Sequence, residues 1–568
     1  SLYDEEPLQP VAAETPAVFV TETPEPTAAP TATPEPTASP TPSPTPEPTP
    51  VTTPEPTTVP ILSADVADGA LPSALSLTAK AYEGTKSQDA YSRTSKIVIN
   101  DPFKYAVWDQ SGVLTFRSGP FRQNAAFGTV EIEKNTLTEI WKVAMEGEIR
   151  SKSGTLTGVT WPGQALIVKW PTQLRAILGI KDDFKEKTAL KEVIVAAQNG
   201  YLYFVDLVTG EETREPVELG WPSNGSLSLQ TNASPMLAVG QHISLLAKKT
   251  VKNGLHLFNL LNNEELTLVN GKESLARSNY SGFSGAPLFD MNTGDMIVGG
   301  ENGLLYTMEP GDEFDHVVGT LKISPSYQRY SWLAGGQKKK STNIDGAVAM
   351  YGTYVYFADQ TGILQCVDVN TLEPVWAADT GDNVDATVAL DMEDENSVSL
   401  YTGNTIENQG RSGVCTIRRF DALTGEEAWA FEVPDLTYTT KADVGCIASP
   451  VVGQNSVSDL VYFTVTNGTD GSVVYALKKS TGAVQWSKAL DTPTVSSPVA
   501  VYNLLGDAWL LQAESDGKLH LMDAKTGEIL TTMQLEGEVE ASPAVYRDVL
   551  VISTTGTDAS YIYGIKLE

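Results

Sequence analysis

Few residues in this chain have the types and spacing that chemistry needs. Gly282-Phe283-Ser284-Gly285-Ala286-Pro287-Leu288 places a serine between glycines ahead of an apolar run, the pattern of an exposed nucleophile loop. A serine becomes nucleophilic only beside a positioned base. The four histidines are His242, His256, His316 and His520, and none stands near Ser284 in sequence. Ser284 therefore reads as the start of an ordinary strand. Asp379, Asp382 and Asp385 offer oxygen ligands of the kind calcium takes, but the rest of a calcium loop is missing. Asp382 and Asp385 are the metal candidates, and an acidic turn is the plainer reading. Asp385, with Asp345 one repeat earlier, enters a strand at the centre of the fold, where a ring of carboxylates could take a cation or polar ligand. Trp161, Trp170, Trp221, Tyr330 and Trp332 (with Tyr327 nearby) fall between the regular strand phrases. They are the binding-face candidates, because aromatic platforms suit sugar rings and partner anchors. The run Lys338-Lys339-Lys340 reads as a solvated loop.

The elements that would position these residues come from a repeat. Phe420-Asp421-Ala422-Leu423-Thr424-Gly425-Glu426-Glu427-Ala428-Trp429 recurs as Leu477 to Trp486, and in looser form at Val205, Val367 and Met522. Its period is roughly 45–60 residues, the range of β-propeller blades. Each unit reads as four short strands. Ser-Pro pairs at residues 234, 449, 497 and 542 mark the innermost strand, and Asn-Gly or Asp-Gly turns mark hairpins. The strand-to-strand turns give eight blades, with seven as the alternative. The C-terminal unit, Ala541 to Glu568, holds only three strands. Leu137 to Val143, containing Trp141, is the predicted fourth, which would close the ring and leave only short edges. Residues 172–191 interrupt the pattern with helical character.

Composition divides the chain of 568 residues. Residues 1–60 hold 17 of the 34 prolines, nine acidic residues and no lysine or arginine. Such a segment has too little apolar surface to form a core and favours extended polyproline II geometry, so it reads as a stalk. Residues 61–104 are a lead-in and 105–568 the propeller. The part after the stalk still carries a net charge of −23. That acidity argues against nucleic acid and anionic lipid as partners. Cys366, Cys415 and Cys446 are odd in number and show no metal-ligand spacing, so no disulfide framework is expected. No apolar run reaches 18 residues, so no membrane-spanning helix is expected. The chain begins at Ser1, and the reading is of an exported protein attached through its stalk, with a leader or anchor upstream.

The repeat phrase, in the form Ala-x-Asp-x-x-Thr-Gly-x-x-x-Trp, resembles that of the quinoprotein-type (PQQ-like) β-propellers. Thr115-Phe116-Arg117-Ser118-Gly119-Pro120-Phe121-Arg122 is similar to the Phe-Arg-Gly segment that opens many of them. The resemblance implies an all-β propeller of four-stranded antiparallel blades, with Arg117 and Arg122 tying the opening segment to its neighbours. Quinone-dependent members use an adjacent cysteine pair and a calcium ligand set, and neither can be placed here. The resemblance therefore implies a non-catalytic bacterial surface branch without a cofactor. A binding or scaffold role toward a cell-envelope protein or glycan is expected. The alternative is an enzyme, either a quinone-dependent oxidoreductase using PQQ and Ca²⁺ or a carbohydrate-active propeller.

Overall fold

The computed structural model describes residues 60–568 apart from 100, 102, 339 and 340. The Pro/Thr tract and most of the lysine run fall outside that range. Eight antiparallel sheets form a ring, an eight-bladed propeller. The innermost strands are, in ring order, Leu166–Lys169, Ser223–Leu229, Leu288–Phe289, Ala349–Tyr351, Ala389–Asp394, Val451–Val452, Val499–Tyr502 and Ala544–Tyr546. They define blades 1 to 8. Blade 8 is completed by Leu137–Ala144, which pairs antiparallel with Tyr561–Leu567. The predicted closure by the two ends of the domain is what the structure shows.

Each residue of the repeat phrase has a task. The aspartate caps its turn: Asp421 Oδ1 accepts from the Leu423 and Thr424 amides at 2.8 and 2.9 Å. The Trp and Gly of the phrase are partners across neighbouring blades. Trp376 lies over Gly425, Trp429 over Gly482 and Trp486 over Gly527. Gly482 has φ +73°, and a Cβ there would sit 2.5 Å from Trp429 Cε3. The same indoles donate to backbone in the next blade, Trp376 to Ala422 O at 2.8 Å and Trp429 to Lys479 O at 2.7 Å. Trp141 repeats this across the closure, covering Gly210 and donating to Leu207 O at 2.7 Å. The phrase thus encodes the seam between blades as well as the hairpin inside each one.

Ser-Pro pairs precede the inner strands of blades 6, 7 and 8 and link them. Thr387 N donates to Ser449 Oγ, Ser449 N to Ser497 Oγ and Ser497 N to Ser542 Oγ, at 3.0, 2.8 and 2.9 Å. Ser234-Pro235 departs from expectation. It precedes the second strand of blade 2, Met236–Gln241, where the Ser234 hydroxyl donates to Asp312.

The lead-in runs along the outside of the ring. Thr78–Glu83 adds to the outer edge of blade 3 by pairing with Ser326–Leu333. Arg93, 1% exposed, bonds Asp295 at 2.7 Å. The expected helical insert is two single turns, Thr172–Arg175 and Asp182–Lys185, between the first two strands of blade 1. Cys415 and Cys446 are free thiols with sulfurs 3.7 Å apart, a proximity that sequence spacing does not reveal. Among the described residues, no helix is long and apolar enough to cross a membrane.

Candidate functional site

The central channel is closed by the chain itself. Residues 111–127 cross it and bond to every blade in turn. Ser111–Val113 pairs with the inner strand of blade 1, and Leu229 of blade 2 donates to Leu114 O at 2.9 Å. Thr115 donates to Pro287 O of blade 3 at 3.0 Å. Amides of Met350, Leu390 and Val452, in blades 4, 5 and 6, donate to the carbonyls of Pro120, Phe121 and Gln123. Asn124 exchanges two bonds with Ala500 of blade 7, and Ala126–Phe127 pairs in parallel with Val545–Tyr546 of blade 8.

Two arginines anchor this plug. Arg122 is fully buried and donates to Val348 O, Thr115 Oγ1, Phe116 O and Ala286 O at 2.6–2.8 Å. Arg117 donates to Pro498 O at 2.7 Å and Pro450 O at 2.9 Å, while its Nε has no acceptor. Among the described residues, neither guanidinium has a carboxylate partner. Burial pushes the Arg117 pKa down to about 9 and that of Arg122 to about 10. Both remain charged at neutral pH. Arg117, Ser118 and Arg122 have φ of +55°, +71° and +54°, which lets the plug turn tightly within the channel.

The inner strands all run the same way, so the plug has two chemically distinct sides. Where those strands end, a bowl of about 730 Å³ opens. Its walls and floor include Phe103, Lys104, Trp108, Lys169, Tyr502 and Arg547. With Arg117 and Arg122 beneath, the lining carries five cations and one anion, Asp109.

Where the inner strands begin, the chemistry reverses. A cavity of about 10 Å³ lies among Ser284, Asp345, Asp385, Thr387, Ser449 and Trp161. That volume is on the order of one water. Asp345 and Asp385 line it together, close enough for each carboxyl group to feel the other. Burial, and then the charges of Glu301 and Glu407, push Asp345 up to about 7. Burial also raises Glu301 to about 7, and the Ser284 hydroxyl donates to Glu301. Burial, followed by the charge of Asp345, raises Asp385 well above the usual range. Asn383 donates to Asp385 at 2.9 Å and to Glu407 at 2.6 Å. Phe116 of the plug, with Ala286 and Ala347, forms an apolar layer between this mouth and the bowl.

The residues singled out in the sequence disperse. Asp385 lines the mouth, but Asp382 is turned away. Its carboxylate accepts from the amides of Asn383, Asn408 and Gln409 and from Gln409 Nε2, and so pins a loop. Among the described residues, no group of three or more His, Cys, Asp or Glu side chains is arranged to hold a metal. Trp161 stands half-buried in the mouth, its indole donating to Ile447 O at 3.3 Å. The other four aromatics present no face to a partner. Trp170 and Trp332 are 1% exposed, Tyr330 0% and Trp221 6%. Trp221 stacks on His256, and Tyr330 on Trp332. Trp170 and Trp332 donate to the buried carboxylates of Glu192 and Asp359. Their large apolar surface is buried even though they fall outside the repeat phrase, and Tyr330 and Trp332 lie in the outer strand of blade 3. Among the described residues, no histidine hydrogen-bonds Ser284. His256 and His520 are engaged with Glu265 and Glu514. The bowl was not evident in the sequence, because Lys104, Lys169 and Arg547 join Arg117 and Arg122 only in three dimensions.

Comparison with known proteins bears on this architecture. The family model for outer membrane protein assembly factor BamB matches residues 328–507 and 469–563. The chain carries the PQQ-like propeller repeat. A solved quinohemoprotein alcohol dehydrogenase from Pseudomonas putida aligns with the propeller at a TM-score of 0.53 and 11% identity, covering 80% of each chain. That likeness is one of fold. BamB from Moraxella catarrhalis aligns at 0.45 and 14% identity, over 75% of this chain and 97% of that one. The mouse β-alanine-activating enzyme is 32% identical over 102 residues, 18% of this chain. This chain spans 9% of that enzyme's length.

Proposed function

We propose that this PQQ-like propeller is a binding or scaffold module of the cell envelope. In this reading it is exported, held out on its Pro/Thr-rich stalk, and engages a protein or glycan through a face of the disc. The observation that carries the reading is the plug. A segment bonded to all eight blades makes the ring a rigid platform and turns the channel into two separate surface sites. The match to a family model described as an assembly factor supports it. So do the exposed apolar side chains near the bowl, Phe103 at 72%, Leu504 at 81% and Leu505 at 89%. The test is crosslinking of the full chain in its native envelope, with crosslinked peptides mapped onto the disc. A reproducible protein or glycan joined to one face is expected. Crosslinks scattered over the whole surface would overturn the reading.

A second reading rests on the paired carboxyl groups of Asp345 and Asp385 at the mouth. It is the enzyme alternative, with PQQ and Ca²⁺ as the added groups. Turnover of an alcohol by the purified chain plus PQQ and Ca²⁺, lost in Asp345→Asn, would establish it.

A further inference from the structure

The bowl over the plug, we infer, is a site for an acidic glycan, with a uronic-acid unit seated above Arg117 and Arg122. This deepens the binding-module reading and rests on it.

The first ground is charge. The chain carries 71 acidic and 39 basic residues, yet five cations and one anion line this concavity. Two of those cations, Arg117 and Arg122, are buried and bonded to neutral oxygens, with no carboxylate partner among the described residues. A charge held in a low-dielectric floor projects its field into the cleft above it. Arg117 is 1% exposed and its Nε–H lacks an acceptor, a donor left unsatisfied beneath the site.

The second ground is shape. Trp108, 41% exposed, and Phe103 stand at the bowl, with Tyr502 and Tyr546 in its wall. Flat apolar rings beside a few polar groups suit a sugar's mixed surface. The volume of about 730 Å³ lies within the roughly 300–1,000 Å³ of small-ligand pockets.

Side-chain cations take a carboxylate or a phosphate alike, and the titration below separates the two. The amides of Ser118, Gly119 and Arg122, donors that a phosphate cradle would add, already donate to carbonyls inside the plug. Long polyanions such as nucleic acid are disfavoured by the acidic surface around the bowl.

The experiment is calorimetric titration of the full chain with tri-galacturonic acid, the neutral galactose trisaccharide and inorganic phosphate. Tri-galacturonic acid should bind, and weaken with added salt as a charge-driven contact must. Lys104→Glu should weaken it about tenfold or more, the effect of about 1.4 kcal/mol. Trp108→Ala should weaken it by a smaller factor. Both side chains are exposed, so the melting temperature should stay within about 2 °C. Equal binding of the neutral sugar, displacement by phosphate, or an unchanged affinity in Lys104→Glu would each overturn the assignment. If tri-galacturonic acid fails to bind while envelope crosslinking maps a partner to another face, this inference falls and the binding-module reading stands. If both fail, both fall.

Discussion

The two ends of the channel are built on the same eight strands and carry opposite chemistry. At the mouth, Glu301, Asp345 and Asp385 crowd together, and burial makes them hold protons near neutrality. At the bowl, cations gather over buried arginines whose charge stays in place at the same pH. Carboxyl groups forced together can relieve repulsion by taking up a proton. An arginine is hard to neutralise, so its charge must be met by oxygens, here carbonyls of blades 3, 4, 6 and 7 together with Thr115 Oγ1 and Phe116 O of the plug. The contrast shows that the plug is more than a stopper. Its two guanidinium groups are bonded to neutral oxygens, and Phe116 with Ala286 and Ala347 forms the apolar layer on the side of the carboxylates.

The largest effect should come from removing the divider. Arg122→Ala deletes four buried hydrogen bonds spanning blades 3 and 4 and the plug itself. Unsatisfied buried acceptors cost about 1–3 kcal/mol each. A loss on the order of 4–6 kcal/mol is expected, read as a fall in urea midpoint together with proteolytic nicking within residues 105–130. A loss below about 1 kcal/mol would show that the plug is held without it. Arg117→Met should cost less, on the order of 1–3 kcal/mol. It forfeits only two bonds and also removes a charge that no carboxylate balances among the described residues. If Arg117→Met proves the more damaging, the charge is being met by something other than those carbonyls.

The mouth should respond to pH in a defined direction. Glu301 and Asp345 rise from ordinary carboxylate values to about 7 in the folded chain. Between about pH 4 and 7 the folded state therefore binds more protons than the unfolded one. Stability is highest at the acid end of that window and falls as pH rises through 7. Asp345→Asn removes one of the mutually repelling groups. It should raise stability at pH 8 by on the order of 1–2 kcal/mol and flatten the slope between pH 5 and 8. Melting curves across that range decide it. An unchanged slope would mean that the carboxyl groups do not share protons.

Much of this was legible in the chain. The closing strand at Leu137–Ala144 followed from a C-terminal unit with three strands and a Trp141 left without a blade. Asp345 and Asp385 were legible as a pair because each stands just ahead of an inner strand. Glu301 and Glu407 were not, because they come from loops after second strands and reach the mouth only in three dimensions. The aromatics misled for a related reason. Falling outside the repeat phrase says nothing about exposure, and Trp170, Trp221, Tyr330 and Trp332 are buried like most large apolar side chains. Arg117 and Arg122 were recognisable as ties. The reach of their segment around all eight blades depends on left-handed backbone at Arg117, Ser118 and Arg122, which their residue types do not announce.

The smallest expected effect tests what keeps the mouth in register. The carboxylates there sit just ahead of inner strands that are joined by the relay from Thr387 through Ser449 and Ser497 to Ser542. Ser497→Ala removes one acceptor from this relay and strands the buried Ser449 amide. The cost should be about 1 kcal/mol, since one neutral bond is lost and the cavity left is the size of a hydroxyl. The useful readout is local. Hydrogen exchange at Ser449 should accelerate while amides of the plug, such as Arg122, keep their protection. The pH slope should also shallow slightly as blades 6 and 7, which this bond joins, relax apart and the loosening passes back along the relay to Asp385. Faster exchange throughout the plug would instead mean that the relay and the arginine anchors act as one unit, so that mouth and bowl could not be altered separately.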